Sequence, residues 1–424
     1  MRKQRRLSFV PILLSNCILP NCDLCCLPVL KLAAPSTEIV TAPMTNLTTI
    51  SLCSELTRAV SAHASVAIRG KSTKNALLDR RREAAELDMT TLDGIVTYDP
   101  SEFLITALAG TRMATLVAAL AENGQYFPFD PVLGAAGATL GGTIASGISG
   151  PDRMLYGSLR DFVMEVELID GLARLVRGGG KVVKNSAGFD LPKLMVGSYG
   201  RLGVLTEATL KVFPKPPAFL TQRFEFASLA ATLAAMQKLQ TNPLPISALE
   251  IEPNTQLVVR YGGRGEGLGI VAARAEQLLG QASLQTDAPE SEAAYWGQLA
   301  EFAFVPTGCD LVRVGMSGRK LLAVQQLVDS VTGIAAVRYS AGASVAWLAV
   351  QADAGWESLD RGLKGLSLSG VVVRSAAAAG AASADGESTN GESAGLRLLG
   401  DRSWVELSDR IQFAMDPDRK FARF

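Results

Sequence analysis

The sequence predicts an α+β fold in two domains, residues 44–216 and 217–424, preceded by an N-terminal extension, residues 1–43. Three observations support this prediction. The length of 424 residues is enough for two or three domains, each with its own hydrophobic core. Glycine-rich loops joined by short apolar strands dominate the chain up to Pro214. Beyond Pro214 these loops stop, and strand-like segments alternate with helix-like ones, a pattern typical of helices packed on one sheet.

The first 43 residues do not resemble a folded domain. A basic start followed by a short apolar run is typical of a signal peptide, but Asn16, Pro20 and Asp23 interrupt the run. No continuous segment there could span a bilayer. Met44 opens a segment that suits the beginning of a domain. We therefore interpret residues 1–43 as a non-folding extension, with a weak targeting segment as the alternative.

Periodicity and turn residues predict the elements of the first domain. A helix over residues 54–64 ends near His63, and a second helix runs from Thr111, as N-cap, to about Glu122 with Gly124 after it. Asp170-Gly171 is typical of a hairpin turn. The pattern predicts strands at residues 65–69, 94–98, 104–109, 165–169, 174–177 and 205–213.

The second domain shows the same two kinds of segment. Helices are predicted at residues 227–239, 270–279, 320–328 and 403–414. Strands are predicted at residues 220–226, 257–261, 311–316, 345–350 and 370–373. Residues 375–395 are rich in Ala, Gly and Ser and contain no large apolar side chain, which predicts a disordered surface loop.

Composition excludes several classes of function. Lys plus Arg equals Asp plus Glu, 41 of each, so no overall charge attracts nucleic acid. The chain has a single histidine, His63, whereas a histidine-based metal site needs several. Of six cysteines, Cys22, Cys25 and Cys26 lie close together, but no fourth ligand is near, and no iron–sulfur spacing occurs. The sequence therefore predicts no metal ligands.

Three glycine-rich blocks point to a bound dinucleotide. They cover residues 137–147, 156–161 and 197–207. Glycine lets backbone amides approach a ligand, and successive amides in a turn form a donor site for phosphate oxygens. The alternative is that these glycines only serve turns. Gly70-Lys71-Ser72-Thr73 looks like the end of a Walker loop, but Ser65 occupies the position of the required earlier glycine, so a nucleoside triphosphatase is disfavoured.

The order of these blocks resembles the PCMH-type FAD-binding flavoproteins, the vanillyl-alcohol-oxidase-like family. Residues 69–73 resemble its Arg-Gly-Gly-Gly-Ser loop with two glycines replaced, and residues 156–161 match its Tyr-Gly-x-x-Arg-Asp element. Within the family, the chain resembles the FAD-binding E subunits of bacterial glycolate oxidases. That closer resemblance rests on the segments 98–100, 148–151, 184–185 and 188–191.

The resemblance implies a two-subdomain FAD-binding domain, a smaller α+β (ferredoxin-like) cap domain, and non-covalent FAD. It assigns FAD contacts residue by residue but no catalytic residue. The implied cofactor-binding residues are Arg69, Gly70, Lys71, Ser72, Thr73, Gly137, Ala138, Thr139, Gly141, Gly142, Ser146, Gly147, Tyr156, Gly157, Arg160, Asp161, Lys184, Asn185, Gly203 and Val204.

The resemblance also implies a function within a complex. A glycolate oxidase or dehydrogenase subunit of this type carries electrons from a small 2-hydroxy acid, glycolate, together with a homologous FAD-containing catalytic subunit and an iron–sulfur subunit. The implied location is cytoplasmic, peripheral at the inner face of the membrane through the complex, without a transmembrane segment. Two alternatives stay open: a free-standing FAD-dependent oxidoreductase of a D-2-hydroxy acid or sugar lactone, and a non-catalytic assembly subunit with a vestigial FAD site.

Overall fold

The structure, a computed structural model, describes residues 45–180, 189–377 and 396–424. Its first elements are helix α1 (Thr45–Ala62) and the parallel strands β1 (Val66–Arg69) and β2 (Ala85–Asp88). The buried Val60, Val66 and Leu87 join these three elements in one small core. The loop after β1 therefore begins from a fixed strand.

A five-stranded sheet follows, with the order β3-β4-β8-β6-β7 and antiparallel pairing throughout. Helix α2 buries Met113, Leu116 and Leu120, which share one face by their spacing. The strands are β3 (Ile95–Asp99), β4 (Leu104–Leu108), β6 (Val163–Ile169), β7 (Leu175–Gly179) and β8 (Val204–Lys211), and a separate short pair is formed by β5 (Gln125–Tyr126) and β9 (Phe213–Pro214). The helices are α2 (Met113–Glu122), α3 (Leu140–Ser146), α4 (Arg153–Tyr156) and α5 (Leu191–Met195).

A nine-stranded sheet makes up most of the second half of the chain, with the order β13-β10-β12-β11-β15-β16-β14-β17-β18. Its strands are β10 (Ala218–Phe224), β11 (Ile246–Ile251), β12 (Leu257–Gly263), β13 (Gln285–Thr286), β14 (Cys309–Gly315), β15 (Ile334–Ser340), β16 (Val345–Gln351), β17 (Ser369–Arg374) and β18 (Leu398–Gly400). The accompanying helices are α6 (Leu229–Gln240), α7 (Gly265–Leu279), α8 (Pro289–Ala300), α9 (Leu321–Ser330), α10 (Trp356–Gly365) and α11 (Val405–Met415).

The two faces of this sheet have different neighbours. Val312 and Val314 of β14 pack in the core that contains residues of α6, α9 and α10. Leu311 and Trp347 point to the other face, because side chains alternate along a strand, and they join the core of the five-stranded sheet. We call this second face the inner face of the nine-stranded sheet. It connects the two halves of the described chain.

The α+β fold class is confirmed, and most predicted elements are present with ends shifted by a few residues. The predicted strand at residues 205–213 is interrupted, since β8 ends at Lys211 and Phe213 pairs with β5. The elements that were not predicted are strands β2, β5, β11, β13, β15 and β18 and helices α3, α4, α5, α8 and α10, and α1 begins at Thr45 rather than near residue 54. The domain boundary at residue 216 stays a prediction. Residues 1–43 lie outside the described residues, as do residues 378–395 of the loop predicted at 375–395.

Candidate functional site

A cleft of about 910 Å³, part of it open to solvent, lies between the β1–β2 pair and the five-stranded sheet. Three segments form most of its wall: the chain after β1, the start of α3, and the loop before β8. The lining residues are Val66, Ile68, Gly70, Lys71, Ser72, Thr73, Lys74, Leu77, Leu78, Asp79, Met89, Ala109, Thr139, Gly141, Gly142, Ala145, Ser146, Tyr199, Gly200, Gly203, Leu205 and Ala422.

The loop after β1 supplies the free backbone donors of the cleft. Among the described residues, the amides of Lys71, Ser72 and Thr73 have no hydrogen-bond partner. Ser72 has a φ of 54°, in the left-handed region, which turns successive amides toward one side. A Cβ on Gly70 would lie 2.9 Å from the Thr139 hydroxyl oxygen, so the glycine lets this loop approach the loop of residues 137–147. Three consecutive free amides form a donor site suited to phosphate oxygens.

The loop of residues 137–147, which contains α3, differs because its Gly141 and Gly142 amides already have partners within the protein. The Gly141 amide donates to the Ala109 carbonyl at 2.7 Å, and the Gly142 amide donates to the Thr139 hydroxyl at 3.3 Å. A Cβ on Gly141 would lie 2.9 Å from the Cβ of Ala109, so only glycine allows α3 to lie this close to the end of β4. This loop therefore contributes shape to the cleft, and its bare glycines allow close approach of a ligand.

The other predicted residues of the blocks 137–147 and 197–207 have varied positions. Ser146 lines the cleft, and its hydroxyl donates to the Thr143 carbonyl at 3.0 Å. Gly203 also lines the cleft, with a φ of 154°. The remaining four do not line it. Three of them serve the local fold: Gly137 has a φ of 92°, Ala138 is buried, and Gly147 ends α3 with a φ of 62°. Val204 is buried in the core of α1 and the parallel strands.

The Tyr-Gly-x-x-Arg-Asp element also lies outside the lining of the cleft. Tyr156 packs edge-on against Tyr126 and Phe213. The Asp161 carboxylate accepts a hydrogen bond from the Ser158 amide at 2.8 Å, and a Cβ on Gly157 would lie 2.6 Å from that carboxylate. Arg160 is exposed and donates to the Lys193 carbonyl. The cofactor role of these residues stays a prediction.

Arg69, Lys184 and Asn185 complete the predicted set. The Arg69 guanidinium forms a salt bridge with Glu86 at 3.0 Å and donates to the Asp79 carbonyl, so it braces the loop after β1 rather than lining the cleft. Lys184 and Asn185 lie outside the described residues. Their cofactor role also stays a prediction.

Three polar residues of the cleft were not predicted from the sequence. Lys74 is only 6% exposed, and its burial lowers its pKa to about 8, although Glu301 acts in the opposite direction. Asp79 holds the Arg81 guanidinium at 2.7 Å. Tyr199 has a φ of 52° between Gly197 and Gly200, and burial raises its pKa. The position of Lys74 directly after the predicted loop is the one sequence signal that could have indicated it.

Comparison with known proteins shows the family. The family described as "FAD binding domain" matches residues 48–179. Glycolate oxidase subunit GlcE of Escherichia coli is 41% identical over 250 residues, which are 59% of this chain and 67% of that protein. The chain belongs to the GlcE family of FAD-binding flavoproteins. It is therefore an FAD-dependent oxidoreductase, and its cofactor is FAD.

More distant relatives match shorter parts of their own length. A D-lactate dehydrogenase of Anaerostipes hadrus is 31% identical over 164 residues, 39% of this chain and 34% of that protein. The chain thus spans about a third of the length of this relative. A solved structure of alkyldihydroxyacetonephosphate synthase has a TM-score of 0.62 at 15% identity, covering 87% of this chain and 74% of that one. At this identity the likeness shows the fold alone.

The residues of the cleft fit FAD. The free amides of residues 71–73 would hold phosphate oxygens, and the buried ammonium of Lys74 would neutralise negative charge. Val66, Ile68 and Met89 provide an apolar wall suited to an aromatic ring system. The cleft thus offers donors, a cation and an apolar surface together, as an anionic dinucleotide requires.

In the described part of the chain, none of the helices combines the length and apolar character needed to cross a membrane.

Proposed function

We propose that this chain is the FAD-binding subunit of a multi-subunit glycolate oxidase or dehydrogenase. The observation that carries the proposal is the 41% identity to E. coli GlcE, which extends over 67% of that protein. In this proposal the chain works with a second, homologous flavoprotein and an iron–sulfur subunit, in the cytoplasm at the inner face of the membrane. A subunit of the same complex type, GlcD of Bacillus subtilis, is also similar, at 34% identity over 26% of its length.

The residues of the cleft divide the work of holding the cofactor. When bound, FAD supplies an acceptor for the hydride removed from a 2-hydroxy acid. The amides of residues 71–73 would bind its diphosphate, and Gly141 and Gly142, which have no side chain, would allow it to approach the backbone there. Lys74 places a positive charge in a site that is largely shielded from water, where its effect on a neighbouring anion is strong.

The part of the reaction assigned to this chain is electron transfer. Oxidation of a 2-hydroxy acid needs a base for the hydroxyl proton. The single histidine, His63, is exposed and follows the last turn of α1, and it is not among the residues that line the cleft. This position is consistent with proton abstraction in the partner flavoprotein.

The proposal is tested by the visible spectrum of the full chain under anaerobic conditions. We expect oxidised-flavin bands that persist when glycolate is added to the chain alone and bleach when the second flavoprotein and the iron–sulfur protein are also present. Ethylene glycol, which has the same hydroxyl-bearing carbons but no carboxylate, is the matched control and should bleach nothing. A chain that takes up no flavin on reconstitution with FAD would contradict the proposal and favour an assembly role.

A free-standing oxidoreductase of D-2-hydroxy acids is the second candidate. The similarity to D-lactate dehydrogenases favours it, because those proteins are named for activity on such an acid. Bleaching of the flavin by glycolate or D-lactate in the absence of any partner protein would select this candidate. The same spectra therefore separate the two functions.

A further inference from the structure

Residues 416–424, which follow α11, pack against the unit formed by α1 and the two parallel strands. The Lys420 carbonyl accepts a hydrogen bond from the Val66 amide, at the start of β1, at 2.9 Å. Phe421 is 1% exposed and belongs to the small core of this unit. Ala422, the next residue, lines the cleft. We call residues 416–424 the strap, because they run from α11, past the start of β1, to the wall of the cleft.

The strap begins with a turn around a buried carboxylate. Asp416 is fully buried, and its two carboxylate oxygens accept hydrogen bonds from the amides of Lys420 and Phe421 at 2.9 and 2.8 Å. Just before the turn, the Met415 carbonyl accepts a hydrogen bond from the Gly171 amide at 3.0 Å. Gly171 lies in the connection between β6 and β7, so the beginning of the strap is tied to the five-stranded sheet.

The Lys420 side chain fastens the strap to the end of α1. Its ammonium group donates hydrogen bonds to the carbonyls of Val60 at 2.6 Å, Ser61 at 3.2 Å and His63 at 3.0 Å. The last carbonyls of a helix have no partner inside the helix and carry its partial negative charge, so a cation is favourable there. One side chain thus joins the strap to the helix that shares its core with β1.

Arg201 fastens the other end of the strap. Its Nε donates to the Arg423 carbonyl at 2.7 Å, and its Nη1 donates to the carbonyls of Tyr199 at 2.7 Å and Leu77 at 3.3 Å. Tyr199 and Leu77 both line the cleft, and Arg423 follows Ala422, which also lines it. One guanidinium group therefore connects three separate segments of the cleft wall.

The guanidinium group of Arg201 is enclosed by the segments that it connects. The residue is 1% exposed, and burial lowers its pKa to about 10. A buried charge is costly unless polar partners surround it. The three carbonyls are such partners, and the rings of Tyr199 and Phe424 lie 5.9 and 6.0 Å from the guanidinium carbon. All these contacts belong to the strap or to the cleft wall, so Arg201 holds the two together.

We propose that the strap determines how long FAD stays in the cleft, with Lys420 and Arg201 as positioning residues. Neither of them is among the residues that line the cleft, so both act on FAD through the strap. FAD leaves when the strap detaches from α1, because the wall segments that meet at Arg201 can then move apart. The inference concerns retention of the cofactor and does not depend on which acid is oxidised.

The first measurement is the rate at which FAD leaves the full chain, followed by the rise in FAD fluorescence after dilution. Lys420→Met removes the hydrogen bonds to the end of α1 and should raise this rate about 10-fold, the effect of losing a charge-assisted contact that is partly exposed. Lys420→Arg keeps a cation at the helix end and should retain slow release. Arg419→Met removes the charge of the exposed neighbouring residue and is the matched control, with release like the wild type.

Arg201→Lys tests the other end of the strap. Lysine keeps the positive charge but replaces the planar fork, which reaches three carbonyls, by a single ammonium group. The rate of FAD release should therefore rise, as in Lys420→Met. Because two distant substitutions loosen the same segment, equal direction in both variants points to the strap rather than to either side chain alone.

Hydrogen exchange separates this role from a purely structural one. The amides of Val66, Lys420 and Phe421 form hydrogen bonds that hold the strap in place. Saturating FAD should slow their exchange about 10-fold or more, because a ligand that requires the fastened strap stabilises it by mass action. The amides of α10, in the other half of the chain, are the reference for a general stabilisation of the fold.

The outcomes decide as follows. Faster FAD release in Lys420→Met and Arg201→Lys but not in Arg419→Met, with FAD-dependent protection of the strap, supports the proposal. Unchanged release in Lys420→Met overturns it, as does protection of the strap no greater than that of α10. The midpoint of thermal unfolding is measured for each variant without cofactor. If faster release follows a lower midpoint across all variants, Lys420 and Arg201 serve the fold alone and the proposal is also overturned.

Discussion

Lys74 offers the most direct test of how the cleft binds its cofactor. Its side chain is 6% exposed, and burial lowers its pKa from 10.5 to about 8 in the protein without cofactor. The phosphates of FAD bring negative charge into the same cleft and stabilise the ammonium form, so the pKa rises again on binding. Above pH 8, binding of FAD must then take up a proton. The affinity for FAD should therefore fall as the pH rises.

The size of the effect follows from the fraction of Lys74 that is protonated before FAD binds. With a pKa of about 8, this fraction falls about 25-fold between pH 7.5 and pH 9.5, and the affinity should fall by the same factor. Lys74→Met removes this dependence. At pH 7.5 it should also weaken FAD binding about 10- to 100-fold, the usual effect of losing a hydrogen bond to a charged group.

The folding stability of the protein without cofactor gives a second measurement, because it should rise with pH while the affinity for FAD falls. Because the pKa of Lys74 is lower in the folded than in the unfolded chain, protonation opposes folding below pH 8. Stability should therefore rise by about 3 kcal/mol as the pH increases from 8 to 10.5. In Lys74→Met this contribution is absent, so the variant should be more stable than the wild type at pH 7.

The assay is quenching of FAD fluorescence at pH values from 7 to 9.5, combined with urea unfolding of the cofactor-free protein. Lys71→Met is the matched control, since Lys71 lines the same cleft but is exposed. It should weaken binding while keeping the pH dependence of the wild type. The reasoning is refuted if Lys74→Met and the wild type lose FAD affinity in parallel as the pH rises.

Three further predictions concern the framework of the site. Gly141→Ala places a Cβ 2.9 Å from the Cβ of Ala109 and should destabilise the protein by about 1–3 kcal/mol in urea unfolding, whereas Gly134→Ala, with open space around it, should change little. Arg260→Met leaves two buried carboxylates unpaired and should cost about 3–5 kcal/mol at pH 7; a loss under 1 kcal/mol would contradict this. Burial raises the pKa of Asp130 to about 7, which opposes folding increasingly as the pH rises from 4 to 7, so Asp130→Asn should gain stability relative to the wild type at pH 8 but not at pH 4.

The sequence predicted those elements whose apolar residues alternate clearly, and missed strands that carry buried charges. Strand β11 contains Glu250, fully buried, and β15 contains Arg338, 3% exposed. Each charge interrupts the apolar pattern of its own strand, and each is tolerated because it pairs with the other across the sheet at 3.1 Å. A partner 88 residues away cannot be identified from local periodicity. These two strands therefore required the tertiary structure.

The same limit applies to the cleft. Gly141 and Gly203 lie in blocks predicted from glycine density, and Gly70 was assigned by the family resemblance; the structure brings all three to the wall of the cleft. Lys74 and Tyr199 were missed, because a buried lysine and a tyrosine in the left-handed region acquire their roles from neighbours distant in sequence. Glycine-rich blocks indicate where backbone approaches a ligand, and they give no information about which side chains are enclosed with it.

The loop after β1 shows why glycine content alone is a poor measure of a phosphate site. Lys71 and Ser72 occupy positions where the family's loop has glycine, yet the amides of residues 71–73 are free of partners within the described chain. Ser72 reaches the left-handed region at a φ of 54°, a conformation that costs a non-glycine residue about 1–2 kcal/mol. The rest of the fold must supply that energy, and Arg69 contributes by tying the loop to Glu86 and to the Asp79 carbonyl. With Lys71 and Ser72 at these positions the loop has three free amides and an added cation, a combination that suits an anionic cofactor.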